Sequence, residues 1–548
     1  NVPSLADPTV HLADMTGDGL QDVVRVQSGR VEVWPSLGIG RFGQPMQLRN
    51  SPRLRDALRQ PQSVLLADLN GDGCADLVHF TPEGIEIFIN QNGMQFADAI
   101  LIRDVPPPIS GTVRAANMQG QMGSGLVWNS YRGRTMAYVQ LAFGNSLPYL
   151  LTTVENGSGL VSELLYRSAV EDFARDEAAG ELWDTHFPFP YLVVAGTRER
   201  DLVSGRSTAL DFNYHQAHYE PNTRQFHGFR RSERIERSNG SLSRADVRIV
   251  FHYLMGQERL PGNGLEHAAL NGMLHRSETY SLDGSPDQNR PYRTEVSEYG
   301  LSVLGMLPDG RKRSFVFVAK HRLEDTERTN TGDLRGEEKT YTYDANGNVT
   351  KEQHRGYGTH AGVAQPERKR TSEISYANST TAWLLDRPSR IVVRDEAGAL
   401  LSETRRYYDG PDFVGLPLGQ TVRGLLSREE ALVLLQAEFD AHYAGMNAAT
   451  LGYAASNDVD GHLALFTQTG RCAYNTHGVK TAIQDELGNT SAYEHDADQL
   501  FRIKLTDAAG VTQFAFDRAI GQPTRIAYAD GTQAQFAYDA QGRVTATA

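Results

Sequence analysis

Short runs in which apolar and polar residues alternate recur along the chain, and Val31-Glu32-Val33-Trp34 and Ile85-Glu86-Ile87-Phe88 are the clearest. A period of two turns one face of each run to a core and the other to solvent, so each predicts a half-buried β-strand bounded by Gly, Pro or Asn. The two runs are copies of each other. HLADMTGDGLQDVVRVQSGRVEVWPSLGIGRF returns without a gap, fifty-four residues later, as LLADLNGDGCADLVHFTPEGIEIFINQNGMQF, with Trp34 matching Phe88 and Phe42 matching Phe96. A decayed third copy starts at Val113. Its Ala116 and Asn117 stand where Ala67 and Asp68 stand, Leu126-Val127-Trp128 falls close to Asp76-Leu77-Val78, and its loop has no carboxylate.

Units of this size, each with several strands and a fixed loop, predict propeller blades or a related β array over 1–148. Three blades do not close a ring, which takes about four to eight. Further blades are therefore expected upstream of Asn1 or in diverged segments downstream, and the absence of Met at position 1 suggests a processed or excised piece. From about Tyr149 to Arg335 the chain keeps short strands and turn signals with no convincing long helix. Within this middle region, the aromatic and basic block from His218-Tyr219-Glu220 to His227-Gly228-Phe229-Arg230 reads as a packed strand pair rather than a binding patch.

After Gly336 the pattern changes to an aromatic, an Asp and then a Gly. Tyr343-Asp344-Ala345-Asn346-Gly347 and Tyr538-Asp539-Ala540-Gln541-Gly542 show it, with looser copies at His495-Asp496 and Phe516-Asp517; the last three lie 21 and 22 residues apart. An aromatic ending a strand, an Asp opening a turn and a Gly accepting positive φ describe one hairpin per repeat. Each hairpin leaves an edge that the next must cover, which predicts a long spiral sheet over 336–548. Within it, Ser427 to Tyr443, SREEALVLLQAEFDAHY, carries a Ser cap, early Glu residues and apolar spacing near 3.6, and predicts a helical insertion near 427–445. The last repeat reaches Ala548 with no terminal cap, so the sheet is expected to be incomplete within this sequence. The predicted fold class is thus all-β, with few helices.

The Asp-rich loops carry the one candidate site. Oxygens at loop positions 1, 3 and 5, a backbone carbonyl at 7 and a carboxylate at 9 can wrap a hard cation such as Ca²⁺. The first loop offers Asp14, Thr16, Asp18, the carbonyl of Leu20 and Asp22; the second offers Asp68, Asn70, Asp72, the carbonyl of Cys74 and Asp76, and Gly19 and Gly73 supply tight turns. The other reading is an Asx-turn held by its own side-chain hydrogen bonds with no ion. A bound Ca²⁺ would serve stability and not catalysis.

Charge and composition narrow the partners. The 548 residues carry a net charge of −13, which argues against nucleic acid, since tracking phosphates needs clustered Lys and Arg. Cys74 and Cys472 are the only cysteines and lie in different segments, so no disulfide framework or thiolate metal site is predicted. No run approaches the roughly 18 apolar residues of a spanning helix, so no direct membrane insertion is expected, and NVPSLADPTV lacks the features of a signal peptide. G-x-S-x-G, H-E-x-x-H, P-loop and dinucleotide patterns are missing. His215, His218 and His227 have no metal-site spacing and read as packing or surface residues. Glu155 and Glu163 flank a Gly-rich stretch without defining a site, and no organic cofactor is expected.

The Asp loops resemble FG-GAP or VCBS-type repeats, and the aromatic-Asp hairpins resemble the YD or RHS repeat. ADMTGDGLQDVVRV, VEVWPSLGIGRFG, GLVWN, TTVENGSGLVSELLYRSAVED, PYLVVAG, YHQAHYEPNTRQFHGFR, LEHAALNGMLHRSETYSLDGS and YTYDANGNV, in that order, resemble the SpvB and TcB portion of insecticidal toxin complexes from His11 to the last residues. The resemblance implies a secreted, non-catalytic subunit that contributes to a hollow RHS shell around an effector. It implies a TcC-like RHS partner and a pentameric TcA-like channel on which the propeller docks and which it gates. The ordered Arg, Ser-Thr-Ser and Glu-x-Glu set of the ADP-ribosyltransferases that follow some SpvB-type scaffolds is missing. A second reading is a Ca²⁺-stabilised secreted or cell-surface adhesion protein with RHS repeats as a stalk; a self-contained enzyme has no motif behind it.

Overall fold

The computed structural model describes residues 2–55, 63–105, 113–120, 123–129, 136–139, 150–184, 191–220, 225–238, 245–256, 268–308, 310, 312–328 and 333–548. The chain is mostly β and forms two compact units, Asn1–Glu258 with Leu270–Asn289, and Arg259–Ala269 with Arg290–Ala548.

In the first unit each sequence repeat is one small antiparallel sheet. Val10–Ala13, Asp22–Gln27, Arg30–Trp34 and Met46–Gln47 form the first; Val64–Ala67, Asp76–Thr81, Gly84–Phe88 and Ile100–Ile102 form the second; Val113–Ala116, Gly125–Asn129 and Met136–Val139 form the third. Their registers repeat as well, with Ala13 opposite Asp22, Ala67 opposite Asp76 and Ala116 opposite Gly125. Gly125 therefore holds the place of Asp76 and Leu126 that of Leu77, one position on from the sequence alignment. The strand Asp76–Thr81 is buried on both faces because neighbouring sheets stack. Leu77 and Phe96 share a core with Met15, Val24 and Val33 of the first repeat, and Val78 and Ile87 share one with Leu126 and Trp128 of the third.

The rest of this unit contains the strands Leu160–Ser168, Leu192–Asp201, Ser207–Glu220, Gln225–Arg237 and Asp246–Tyr253, each antiparallel to the next. The strand-pair expectation for the aromatic block holds, since Ala217 lies opposite Phe229, His218 opposite Gly228 and Tyr219 opposite Phe226. Residues 221–224 of that block are outside the described residues. A helix, Ala169–Ala178, also stands in this region, where only strands were expected. Its signal was present as Ser168-x-x-Glu171: the Ser168 hydroxyl accepts from the Val170 amide at 3.3 Å, and Glu171 Oε1 accepts from the Ser168 amide at 3.4 Å.

The second unit continues as an antiparallel meander through Arg293–Met306, Lys312–Thr326, Leu334–Tyr343, Val349–His360, Arg368–Ser379, Leu384–Asp395 and Leu400–Tyr408, and an eight-stranded sheet runs from Arg471–Tyr474 to Val544–Thr547. Its turns share one device. Asp344 Oδ1 accepts from the amides of Asn346 and Asn348, and the same two-and-four pattern recurs at Asp395, Asp458, Asn475, Asp485 and Asp539. The aromatics are fixed too: Tyr343, Tyr376, Tyr408, Tyr474 and Tyr538 each donate a hydroxyl hydrogen bond of 2.8–2.9 Å to a carbonyl on a nearby strand.

The helix expected over Ser427–Tyr443 is corrected by the structure. Leu426–Leu435 is a strand, paired with Leu400–Tyr408 and with Leu463–Thr469, and only Gln436–His442 is helical. The acidic residues that looked like a helix N-terminus have partners on neighbouring strands. Glu429 accepts from Arg406 Nε at 2.6 Å, and buried Glu430 accepts from the Tyr407 hydroxyl at 3.0 Å and Gln468 Nε2 at 2.9 Å. Ladder bonds on both sides outweighed a helix propensity that is only a weak prior.

Candidate functional site

The two Asp-rich loops join the first strand of each repeat to the second. Gly17 and Gly71 hold φ near +78° and +82°, a conformation that suits glycine and turns the loop back on itself. The leading carboxylate fills that turn. Asp14 Oδ1 accepts from the Gly17 amide at 2.7 Å and Oδ2 from the Gly19 amide at 2.6 Å; Asp68 does the same with Gly71 at 2.7 Å and Gly73 at 3.0 Å. Asp18 and Asp72 each accept from the amide two residues on, that of Leu20 and that of Cys74, at 2.8 Å.

The closing carboxylates face inward. Asp22 accepts from the Met15 amide at 2.9 Å and the Ser36 amide at 2.7 Å, and Asp76 accepts from Leu69 at 3.0 Å and Asn90 at 2.8 Å. Thr16 lies 3.5 Å from Asp22 through its hydroxyl, Asn70 donates to Asp72 at 3.0 Å, and the Leu20 side chain is exposed where that of Cys74 is buried. The two loops thus keep their predicted residues together, with most oxygens engaged by backbone amides as in an Asx-turn. Burial pushes the Asp76 carboxyl up to about 7, with Asp72 and Asp68 adding to it against the amides of Asn90 and Leu69. Burial also raises Asp68, and burial with the charges of Asp72, Asp14, Asp68 and Asp76 pushes the Cys74 thiol up to about 11.

Sequence reasoning missed how these loops connect successive repeats. The Asp14 carbonyl accepts from the Ala75 amide at 2.6 Å, and the Asp68 carbonyl from the Ser124 amide at 2.7 Å, one repeat later in each case. Asn90 Nδ2 adds bonds to the carbonyls of Met15 and Ala75. In the third repeat Asn117 Oδ1 accepts from Gly120 at 2.8 Å, and the Gly120 carbonyl is met by the Ser168 hydroxyl, so the helix N-cap sits against the last loop.

A second cluster joins that helix to the sheet. Oxygens of Asp176 and Glu181 and a ring nitrogen of His215 all lie within 4.8 Å of one another, the one such group of three or more among the described residues. Both carboxylates already have partners. Asp176 Oδ2 accepts from Trp183 Nε1 at 2.8 Å and lies 2.8 Å from His215 Nδ1; Arg175 holds its other oxygen, and Arg231 holds Glu181 at 2.7 Å. Burial, with the Arg231 charge, lowers the His215 pKa. The cluster reads as an internal ion-pair network in which His215 is a packing residue; the His218 and His227 rings lie tilted against each other with centroids 5.5 Å apart.

Comparison with known proteins follows the same chain order. Residues 14–79 match the FG-GAP-like repeat, residues 89–256 the insecticide toxin TcdB middle/N-terminal region, and residues 516–548 the RHS repeat. The chain is similar to the B subunit of insecticidal toxin complexes. Among solved structures, TcdB2-TccC3 superposes with a TM-score of 0.84 at 20% identity over 99% of this chain and 32% of that one. The Photorhabdus luminescens Tc holotoxin pore superposes with a TM-score of 0.84 at 21% identity over 100% of this chain and 31% of that one. TcdB2-TccC3-Cdc42 gives 0.84 at 21% identity. These likenesses show that the fold is that of the Tc toxin B-subunit structures, of which this chain spans about a third of the length. No curated protein matches the sequence significantly.

Proposed function

We propose that this chain is a structural, non-catalytic part of a secreted Tc toxin: its hairpin repeats build part of an RHS shell around an effector, and its Asp-loop repeats belong to a propeller that docks on and gates a TcA-like channel. The observation that carries this reading is collinearity. FG-GAP-like repeat, TcdB middle region and RHS repeat follow one another in a chain whose described strands superpose almost throughout on TcdB2-TccC3. The small stacked sheets joined through the Asp14 and Asp68 carbonyls support a blade-like array, and the Tyr and Asp turn devices support a sheet that grows hairpin by hairpin. A TcC-like RHS chain and a TcA-like channel are the expected partners. Co-purification with a TcC-type and a TcA-type protein, read by size exclusion and negative-stain images, tests this. A hollow particle seated on the channel is expected; a chain that binds neither, and instead binds a cell-surface ligand by itself, overturns it in favour of the adhesion reading.

The proposal extends to Ca²⁺ at the Asp14 and Asp68 loops. A carboxylate oxygen has lone pairs beyond one amide bond, and a divalent cation would favour the ionised form of Asp68 and Asp76, whose carboxyls are raised by burial first and by neighbouring carboxylates second. Asp14, Asp18 and Asp22 with Thr16 and the Leu20 carbonyl, and Asp68, Asp72 and Asp76 with Asn70 and the Cys74 carbonyl, would hold it.

A further inference from the structure

Asn-Gly pairs at Asn70, Asn92, Asn156, Asn271 and Asn346 lie among the described residues, and those at Asn239 and Asn263 lie outside them. An Asn followed by Gly leaves its side-chain amide open to attack by the next backbone nitrogen, because glycine puts no Cβ in the way. The attacking nitrogen must first lose its proton, so a hydrogen bond that holds this proton suppresses the reaction as it suppresses hydrogen exchange. Most of these protons are held. The Gly71 amide donates to Asp68 Oδ1 at 2.7 Å, Gly93 to Asn90 Oδ1 at 2.9 Å, Gly272 to the Leu254 carbonyl at 2.9 Å and Gly347 to the Asp344 carbonyl at 3.2 Å. The Gly157 amide is the exception, with no acceptor among the described residues. Asn156 and Gly157 are exposed, and the space a Cβ on Gly157 would take is open.

The Asn156 side chain is held ready for the same attack. Its Oδ1 accepts from the Ser158 amide at 2.8 Å and the Leu160 amide at 3.0 Å, and its own amide donates to the Leu160 carbonyl at 3.1 Å. This is the two-and-four turn of Asp344 and Asp485, with a carboxamide in place of the carboxylate and a Gly directly after it. When a nucleophile adds to Cγ, negative charge develops on Oδ1. Two backbone amides already point at that oxygen, at the distances of an oxyanion hole.

We propose that Asn156 is a site of spontaneous deamidation, converted in the folded chain to aspartate and isoaspartate. The Gly157 nitrogen, its proton lost to solvent base, forms a bond to Asn156 Cγ. The oxyanion on Oδ1 collapses, the Cγ–Nδ2 bond breaks, and Nδ2 takes a proton from water and leaves as ammonia. Water then opens the cyclic imide at either carbonyl, so that amide and water give acid and ammonia with no change of oxidation state. Opening that leaves aspartate installs the residue the same turn carries at Asp344 and Asp485, and makes its two accepted hydrogen bonds charge-assisted. The inference goes beyond the toxin-subunit reading and does not depend on it.

Incubation of the whole chain at mildly alkaline pH, folded and in parallel in concentrated urea, with peptide mass mapping at intervals, tests it. In the folded chain Asn156 is expected to convert roughly tenfold faster than Asn70, Asn92, Asn271 and Asn346, the factor by which an amide hydrogen bond worth about 1.4 kcal/mol lowers the open population. In urea, where those bonds are gone, the rates should converge. Asn156→Gln, whose attack would have to close a six-membered ring, should show no conversion at that position over the same interval. Conversion of Asn156 in the folded chain no faster than at the other Asn-Gly pairs overturns the proposal. So does a lead that persists undiminished in urea, because it would belong to the local sequence and not to the fold.

Discussion

Single carboxylates organise most of the loops, and Asp409 shows how. Its Oδ2 accepts from the Thr421 hydroxyl and the amides of Val422, Arg423 and Gly424 at 2.7–3.1 Å, and its Oδ1 from the Leu425 amide at 3.2 Å. Burial raises the Asp409 carboxyl, but these donors outweigh it and hold the pKa below the usual value. Asp409→Asn keeps one acceptor oxygen, tolerates the left-handed φ of 51° and loses the charge, and is expected to cost about 2 kcal/mol. Because the folded pKa is depressed, this stabilisation is complete above the unfolded value near 4 and is lost as pH falls through the folded one. Parent and variant midpoints in urea should therefore differ at neutral pH and converge in acid. The Asp14 and Asp68 loops give a second expectation at this scale. If they hold Ca²⁺, chelation lowers the melting temperature, and Asp18→Ala with Asp72→Ala removes that sensitivity; equal melting of the parent with and without chelator excludes the ion.

Among the elements, the helix Ala169–Ala178 is the best test of local sequence against tertiary context. Its capping box was legible as Ser168-x-x-Glu171, yet the flanking strands masked it. Ser168 both caps the helix and reaches the Gly120 carbonyl of the third repeat. Ser168→Ala is expected to cost about 1–2 kcal/mol, the upper part of the range for a lost cap because a second bond goes with it, as measured by denaturant midpoint. The segment Leu426–Leu435 is the converse case. Its Ser, Glu and apolar spacing fits a helix, but Arg406, Tyr407 and Gln468 stand on neighbouring strands to receive Glu429 and Glu430, and none of that is visible from the segment itself.

For the whole molecule, the predominance of antiparallel ladders bears on assembly. On the proposed TcB-like reading, the exposed edges of antiparallel sheets make strand pairing and apolar burial the expected means of joining partners. If the proposed complex with TcC-type and TcA-type proteins forms, it should accordingly survive moderate salt on size exclusion, whereas contacts steered by charge would weaken.

Periodicity and repetition alone determined the β class, the two Asp-loop units with their decayed third copy and the aromatic-Asp hairpins, because each rests on residues close in sequence: an alternating strand, an Asp and a Gly two to five positions away. Tertiary structure decided what sequence distance hides. The Asp14 carbonyl meets Ala75, Ser168 meets Gly120, His215 and Trp183 both meet Asp176, and Glu430 lies in a ladder rather than on a helix. Each is a contact between elements, whose free energy comes from burial and hydrogen bonds that no local pattern encodes.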